Sequence, residues 1–469
     1  MPSTVLSRPV VLTFADGVRP GAAPLLPVVG ADTQVPLVRG GRTRYVGLDT
    51  AASTPALVAV AERVAETLPL YASVHRGAGY LSQVSTALYE TARDTVAAFV
   101  GGRPDDVCVF TRHTTDALNL LAGCVPAGEA VLVLDCEHHA DLLPWQRRGP
   151  VTVLPTGSTV TATLRALADT LARGRYALVA VTGASNVTGE SLPLDAVVEL
   201  AHAAGARVLV DGAQSVPHRR FSLAESDADY IAFSGHKTYA PFGSGALVGR
   251  RDWLDAAPAY LAGGGAVQDV TVEGTTWAAA PHRHEGGSPN VLGAIALAAA
   301  CDALAALPAG ALEAHERALR ERLDRGLRAL PGIRQLRIWP DSAEPTGVLS
   351  FTVAGADPGL VAAYLSAEHG VGVRDGRFCA HPLLARLGVP EGALRASVGA
   401  GTTAADVDRL LAGLAAFLES GTSVPYAVVD GRWQPADDPR PLARLAGADL
   451  RAVTRGAGCG QAGGQTTLR

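Results

Sequence analysis

Lys237 is the only lysine in this chain of 469 residues, although lysine and arginine together number 40. It lies in the segment SGHKTYAPFGSG, residues 234–245. Arginine stays charged at any working pH and serves well in surface ion pairs. Lysine differs because its amine becomes a neutral nucleophile when burial or nearby cations lower its pKa. The retention of one lysine among so many arginines therefore favours a chemical role for this amine.

Three other side chains could hold a planar ring against the amine of Lys237. Asp211 ends the apolar segment RVLVD and could keep a ring nitrogen protonated, which would make the ring an electron sink. Gln214 could bond a ring hydroxyl, and His138 could lie flat on the ring. A lysine anchor and an acid under a pyridine nitrogen are what pyridoxal phosphate requires, so we predict this cofactor.

A second set of polar side chains could bind the phosphate of such a cofactor. Ser234 and His236 flank Lys237 in sequence. Thr114 and Thr115, in the segment TRHTTDALN, open a predicted helix. The N-terminus of a helix binds phosphate because its first N–H groups are free and its dipole is positive there.

These clusters need a scaffold that brings distant segments together. Short apolar runs alternate with helical patterns, which indicates an α/β fold with a mainly parallel sheet. Ligands of such sheets lie beyond the carboxyl ends of the strands, and the polar clusters follow predicted strands directly. The predicted strands are 130–135, 176–182, 206–212, 229–235 and 245–249, with a helix over 192–205.

The chain beyond residue 305 has a different pattern, which predicts a second, smaller α+β domain. Helices are predicted over 310–330, 360–370 and 404–419, with a strand over 347–353. We expect a large cofactor-binding domain over 45–305 and a small domain over 306–420. Residues 1–44 are expected to pack with the small domain, and 421–469 to form a partly disordered C-terminal extension, since that stretch is rich in Pro and Gly.

Composition narrows the class of protein. A formal net charge of −5 is too small to favour nucleic acid or a membrane surface as partner. The N-terminus lacks the apolar core of a signal peptide, and no run of 18 apolar residues occurs. The six cysteines have no metal-binding spacing and are expected to be reduced thiols in the cytoplasm, four of them (108, 124, 136 and 301) in the core.

The motifs around these residues resemble the cysteine desulfurase/selenocysteine lyase branch of the class V aminotransferases, which are fold type I pyridoxal-phosphate enzymes. The resemblance runs from about residue 45 to 418, and the order and spacing of ten motifs exclude chance similarity. The motifs are GLDTAASTP (47–55), VHRGAGYLS (74–82), TRHTTDALN (111–119), EHHADLLPW (137–145), SNVTGE (185–190), VDGAQSVPH (210–218), FSGHKTYAPFGSGAL (233–247), HEGGSPN (284–290), VRDGRFCAHPL (373–383) and LRASVGAGTT (394–403).

The resemblance implies a fold type I architecture with a seven-stranded sheet, and it implies cofactor contacts that agree with those argued above. By the resemblance, Lys237 is linked covalently to the cofactor, Asp211 and Gln214 bind its ring, and His138 stacks on the ring and takes part in catalysis. Its phosphate would be bound by Thr115, Ser234 and His236.

The resemblance further implies substrate contacts and a homodimer with shared active sites. Arg395 would bind the substrate carboxylate through two hydrogen bonds, a geometry that suits arginine. Asn186 would lie beside the cofactor and this carboxylate, while Ser288 and His75 would reach in from the partner subunit. A small amino-acid substrate and a sulfur-acceptor protein are the other expected partners.

Cys379 determines which reaction is expected. By the resemblance it takes the place of the family's sulfur-accepting cysteine, on a loop that also carries Arg377 and Arg374, which is expected to contact the substrate. Nearby cations should lower its pKa and increase the thiolate fraction. The implied reaction removes sulfur from L-cysteine or a related C–S or C–Se substrate, leaves a persulfide on Cys379 and releases alanine.

Two alternatives stay open at this point. The first is an aminotransferase or epimerase acting on another amino acid, with Cys379 not a nucleophile. It is favoured by departures from the family pattern, namely Gly79, His113 and Ala400-Gly401. The second is a binding module that keeps the fold without the reaction.

Overall fold

A seven-stranded sheet forms the centre of the larger part of the molecule. The computed structural model describes residues 21, 23–75 and 77–441. Six strands of this sheet run parallel and one, Gly245–Gly249, runs antiparallel to both of its neighbours. In order across the sheet the strands are Val107–Thr111, Gly245–Gly249, Tyr230–Ser234, Arg207–Asp211, Leu178–Thr182, Val131–Leu134 and Val151–Leu154. The mainly parallel seven-stranded sheet that the resemblance implied is confirmed.

Helices cover both faces of this sheet, so its strands are almost entirely apolar. Two separate clusters of buried side chains, one on each face, contain alternate residues of the same strands, for example Val208 and Leu209. The thiols of the four cysteines predicted for the core are buried among them. The helices of this part are Val58–Thr67, Tyr80–Phe99, Thr114–Cys124, Leu143–Arg148, Val160–Arg173, Leu194–Ala203, Leu223–Ser226, Arg251–Ala256 and Val291–Ala305.

The second part of the chain has its own antiparallel sheet and its own core. Four strands lie in the order Ile333–Gln335, Val348–Val353, Ala393–Ser397 and Arg374–Gly376. The helices that accompany them are Ala311–Ala329, Pro358–His369, His381–Arg386 and Ala404–Ser420. This arrangement carries two predicted site residues, since Arg395 lies in the third strand and Cys379 follows the fourth. The domain boundaries near residues 305 and 420 stay predictions.

Short two-stranded pairs complete the fold at its edges. Residues 34–44 form a hairpin, and the amide of Val38 donates to the carbonyl of Ala367 in the second part. A further hairpin over 426–435 follows the last helix, and residues 442–469 of the predicted extension, with Cys459, lie outside the described residues. Within the described ranges, no helix combines the length and hydropathy needed to cross a bilayer. The two-stranded pairs are Gln34–Pro36 with Arg42–Arg44, Val46–Gly47 with Val371–Gly372, Val267–Val270 with Thr275–Trp277, and Tyr426–Val429 with Arg432–Pro435.

Candidate active site

Lys237 lies just beyond the carboxyl end of the strand Tyr230–Ser234, where its amide donates to the carbonyl of Ser234. Its side chain is partly accessible, as an amine that must meet a substrate has to be. Burial lowers the pKa of Lys237 to about 8; the carboxylate of Asp211 opposes this shift and Arg395 adds to it. The amine is therefore about half neutral near pH 8, which suits both nucleophilic attack and proton transfer.

Asp211 ends the neighbouring parallel strand, so its carboxylate lies at the same edge of the sheet as Lys237. The side chain is buried, and one carboxylate oxygen accepts a hydrogen bond of 2.9 Å from the amide of Ala213. Burial raises the pKa of Asp211, while the Ala213 amide and Lys237 act in the opposite direction. A buried carboxylate with one amide donor would gain stability from a cationic ring nitrogen.

Two further buried acids, Glu137 and Asp141, lie behind Asp211, and sequence reasoning assigned no role to either. Burial raises the pKa of both side chains well above the ordinary range; the charge of Asp141 adds to the shift of Glu137, and that of Asp211 to the shift of Asp141. The indole N–H of Trp145 donates to Asp141 over 3.1 Å. Burial therefore favours the protonated form of both side chains, which reduces the negative charge that they place near Asp211. Their position in the motif EHHADLLPW was the available signal.

His138 is held as a neutral ring. It precedes a short 3₁₀ turn, His139–Asp141, and its Nδ1 accepts a hydrogen bond of 3.0 Å from the amide of Ala140. Burial, with help from the charge of Lys237, lowers the pKa of His138 to about 3. A neutral imidazole fixed through one nitrogen leaves its face available to stack on a flat ring.

The predicted phosphate residues meet at the start of the helix Thr114–Cys124, which begins at the predicted residue. The Ser234 hydroxyl lies 2.7 Å from the amide of Thr114 and 2.6 Å from its hydroxyl. Thr115 is exposed at the same helix end. His236 is half-buried, and burial with the charge of Lys237 lowers its pKa to about 4. The helix end thus offers hydroxyl groups and a dipole to an anion.

Arg395 and Gln214 each present a polar atom to the site that is buried without a hydrogen-bond partner. These atoms are Nε of Arg395 and Oε1 of Gln214. The other polar atoms of both side chains are fixed: Gln214 donates to the carbonyl of Ala51 over 2.6 Å, and Arg395 donates to the Asn186 carbonyl and to Asp49. Burying an unpaired polar atom is unfavourable, so these two atoms indicate places where a ligand binds. Asp49, which fixes Arg395 over 2.8 Å, was missed although it lies in the motif GLDTAASTP.

Cys379 lies in a tight turn that is anchored to the large sheet. Phe378 and Cys379 both have positive φ angles, 51° and 52°, which non-glycine residues seldom adopt. The turn is held because the side-chain amide of Asn186 donates to the Phe378 carbonyl over 2.8 Å. The amide of His139 likewise donates to the Cys379 carbonyl over 2.9 Å. An observed strain of this kind, fixed by surrounding contacts, is typical of functional sites.

The thiol of Cys379 is also close to the rest of the cluster. A thiolate there would raise the pKa of both Lys237 and Arg395, so the three groups lie within electrostatic reach of one another. Cys379 differs from the four cysteines of the core, since its side chain is partly accessible. An accessible thiol near cations is the setting in which cysteine reacts.

Three predicted site residues lie outside this buried cluster. Ser288 and His75 are exposed, and His75 contacts Glu90 in its own chain over 2.8 Å. Arg374 is exposed as well, although it lies opposite Arg395 in the small sheet. The described chain therefore brings together eleven of the predicted residues but leaves the two predicted partner residues at its surface. The eleven are Thr114, Thr115, His138, Asn186, Asp211, Gln214, Ser234, His236, Lys237, Cys379 and Arg395.

The donor set fits pyridoxal phosphate. An amine with a pKa of about 8 and a buried carboxylate at the same sheet edge match the aldehyde and the pyridine nitrogen. The orphan Oε1 of Gln214 can accept a hydrogen bond from a ring hydroxyl. Together with the mainly parallel sheet, these features define the class of fold type I pyridoxal-phosphate enzymes.

Comparison with known proteins places the chain within that class: it belongs to the aminotransferase class-V family, which matches residues 46–410. A probable cysteine desulfurase of Vibrio cholerae is 37% identical over 389 residues, which are 81% of this chain and 94% of the relative. A cysteine desulfurase of Cronobacter sakazakii is 40% identical over 78% of this chain and 92% of its own. The crystal structure of the cysteine desulfurase CsdA from Escherichia coli matches with a TM-score of 0.72 at 35% identity, over 80% of this chain and 95% of that one.

Proposed function

We propose that this protein is a pyridoxal-phosphate-dependent cysteine desulfurase that takes sulfur from L-cysteine or a related C–S or C–Se substrate. The proposal rests mainly on the turn at Phe378 and Cys379. This turn holds the partly accessible Cys379 thiol within electrostatic reach of Lys237 and Arg395. The named relatives, at 37–40% identity over most of both chains, support the same reaction. We further propose that it works in the cytoplasm.

The cofactor would be held by Lys237 through its amine, by Asp211 and Gln214 at the ring, and by the helix end near Thr114. When bound, it supplies an electron sink for the bond broken at the substrate α-carbon. His138 would stack on the ring as a neutral imidazole, since its Nδ1 is occupied by the Ala140 amide. Burial favours the protonated forms of Glu137 and Asp141, so the negative charge beneath the ring nitrogen would come mainly from Asp211.

The substrate carboxylate would bind Arg395. Two of its nitrogens already donate to Asn186 and Asp49, so the guanidinium is fixed in orientation and its Nε can donate to the ligand. Lys237, with a pKa near 8, can remove the α-proton once its amine is free, and can return it later. Asn186 would hold both parts of the site. Its side-chain amide donates to the Phe378 carbonyl in the Cys379 turn, and its backbone carbonyl accepts from Arg395.

Cys379 would accept the sulfur. Its thiolate attacks the substrate sulfur, an S–S bond forms and the C–S bond breaks, with the bonding electron pair left on the substrate carbon. Protonation of that carbon gives alanine, and the persulfide sulfur is then passed to a reductant or an acceptor protein. We propose a homodimer in which Ser288 and His75 of one chain complete the active site of the other.

The test is Cys379→Ala assayed with L-cysteine under reductant. We expect sulfide and alanine formation to fall by at least about a hundredfold, while α-proton exchange in deuterated buffer continues, because only the sulfur acceptor is lost. Cys301→Ala, which removes a buried thiol, is the matched control and should keep its activity. Undiminished sulfide release by Cys379→Ala would exclude the nucleophile role. Amine transfer or racemisation of another amino acid would then identify the alternative reaction.

A further inference from the structure

A cleft on one face of the large sheet has mostly apolar walls and two polar groups without partners. Its volume is about 420 Å³, and pockets that bind small molecules usually measure about 300–1,000 Å³. We propose that this cleft, called the rear cleft below, binds a small organic anion in which a carboxylate is attached to an apolar body. Residues that line it include Val181, Leu194, Val210, Ser215, Arg219 and Phe221.

The rear cleft is separate from the cluster around Lys237. Val181 and Val210 line the cleft and belong to the core on one face of the large sheet. Successive side chains of a strand point to opposite faces, so Asp211 points away from Val210, to the face that also holds Leu209. The cleft and the Asp211 carboxylate thus lie on opposite faces of the same strand.

Arg219 supplies the positive charge that an anion needs. Its guanidinium is half-buried between the rear cleft and a second cavity. In the part of the chain that the structure describes, it has neither a hydrogen-bond acceptor nor an ion-pair partner. Burial lowers the pKa of Arg219, and Glu344 and Glu316 oppose this shift from a distance, so its charge is incompletely compensated. A guanidinium offers five N–H donors in a plane that matches a carboxylate.

Two neighbouring arginines show how a guanidinium with a structural role differs. Arg320 lines the second cavity and donates to the carbonyl of Thr346 over 2.8 Å. Arg220, the next residue after Arg219, donates to the carbonyl of Leu307 over 3.0 Å. Each of these two joins separate segments of the fold, whereas the side chain of Arg219 finds no such acceptor among the described residues. Its donors are therefore available to a ligand.

The hydroxyl of Ser215 is the second group without a partner. Ser215 is 7% exposed, and its Oγ is buried with no hydrogen-bond partner in the described ranges. A Cβ atom at Gly183 would overlap this hydroxyl, so glycine leaves room for it. The amide of Arg219 donates to the carbonyl of Ser215 over 2.9 Å, as in one turn of a helix, which puts the two side chains on the same side. One carboxylate can therefore accept from both, which removes the cost of the unpaired hydroxyl.

Two acids also line the rear cleft, and both already accept hydrogen bonds. The carboxylate oxygens of Asp341 accept from the amide of Val160 over 2.9 and 3.1 Å. The carboxylate of Glu344 accepts from Arg317 over 3.2 Å at the surface. These contacts offset the negative charge of the two acids, whereas that of Arg219 has no matching contact. The polar part of the cleft therefore favours an anion.

The walls of the rear cleft determine what else the ligand must carry. Leu192, Leu194 and Phe221 line the cleft and are only half-buried. Covering apolar side chains that still meet water is favourable. An inorganic anion would leave them uncovered, so the expected ligand is an organic acid with an apolar body.

The experiment is a calorimetric titration of cofactor-loaded protein with benzoate. Arg395→Lys serves as the parent, so that a carboxylate bound at the substrate site contributes little. We expect one benzoate per chain, and binding at least about tenfold weaker for benzyl alcohol, which has no charge. Arg219→Gln should weaken benzoate binding by at least about tenfold, and Ser215→Ala by about threefold to tenfold. The matched control is Arg173→Gln, which removes an exposed arginine that does not line the cleft and should bind as the parent does.

A second measurement guards against a folding defect. Benzoate should raise the unfolding temperature of the parent and of Arg173→Gln, but not that of Arg219→Gln, because only a ligand bound to the folded state stabilises it. The proposal is overturned if the parent shows no saturable binding of benzoate, or if Arg219→Gln binds it as tightly as Arg173→Gln. Either result leaves the desulfurase proposal untouched, because that depends on Cys379 and Lys237.

Discussion

Two polar clusters of this protein obtain their properties in opposite ways. The cluster around Lys237 and Asp211 lies at the ends of buried strands, and burial changes the ionisation of nearly every group in it. The group of His75, Glu90 and Arg93 lies outside this cluster, and hydrogen bonds from Arg93 and His75 outweigh burial and lower the pKa of Glu90. The comparison shows that burial without charged partners shifts ionisation toward neutral, reactive groups, whereas hydrogen bonds between opposite charges keep the groups ionised.

The largest effect is expected when the amine of the buried cluster is removed. Lys237→Ala should lower desulfuration by about 10²–10⁴-fold, because the proton-transferring base is lost. Since the chain has a single lysine, borohydride reduction should also cease to attach the cofactor to any side chain, which intact-mass measurement checks. A retained adduct on another residue would contradict the assignment.

A smaller effect is expected from the substrate-binding arginine. Arg395→Lys keeps the positive charge but loses the planar guanidinium with its several donors. KM for L-cysteine should therefore rise about tenfold to a hundredfold, with a lesser change in kcat. Steady-state kinetics measure this split. Arg386→Lys is a suitable control, because Arg386 also pairs with a carboxylate, that of Asp135 over 3.1 Å, but is not a predicted substrate contact. Equal effects of the two substitutions would remove the carboxylate role of Arg395.

The reactivity of the Lys237 amine should depend on pH in a way that reports its burial. In cofactor-free protein, modification of Lys237 by trinitrobenzenesulfonate should be half-maximal near pH 8, where burial places its pKa. An ordinary lysine would continue to gain reactivity up to about pH 10.4. Peptide mass spectrometry separates this site from the N-terminal amine. A midpoint above about pH 10 would mean that Lys237 is solvated and not part of a buried site.

The smallest effects are two stability changes of opposite sign. Burial raises the pKa of Asp141, so its contribution to stability is present below its ordinary pKa and is lost as the pH rises. Asp141→Asn should therefore gain stability relative to the parent between pH 5 and 8, on the order of 1 kcal/mol per unit of removed shift. The pKa of Glu90 is lowered, so its contribution is present above the ordinary value and is lost as the pH falls.

Glu90→Gln should consequently be less stable than the parent at pH 7, by less than about 1 kcal/mol because the pair is partly solvated, and equal to it at low pH. Denaturant unfolding of the parent and both variants at pH 4, 6 and 8 gives, for each variant, the slope of its stability difference from the parent against pH. Slopes of the same sign would mean that the two clusters do not differ in burial in the way described.

Much of the fold and of the buried cluster was predictable. The apolar runs before Asp211 and Lys237 predicted buried strands, and the structure has Arg207–Asp211 and Tyr230–Ser234 there. Because parallel strands end at one edge, the neighbouring clusters had to meet. The motifs pointed to Asp49 and Asp141 but not to their roles, since each role depends on a partner brought close by packing.

By itself, the sequence determined which segments form strands and which residues end them. It also showed that Lys237 is the single lysine in a chain whose other basic residues, histidine aside, are arginines. Periodicity and strand direction are local properties, so they can be read without knowing the partners. Tertiary structure alone decided that Asn186 pins the Cys379 turn and that Glu285 pairs with Arg93. Those contacts join segments nearly 200 residues apart, and only the packing of whole elements against each other brings them within reach.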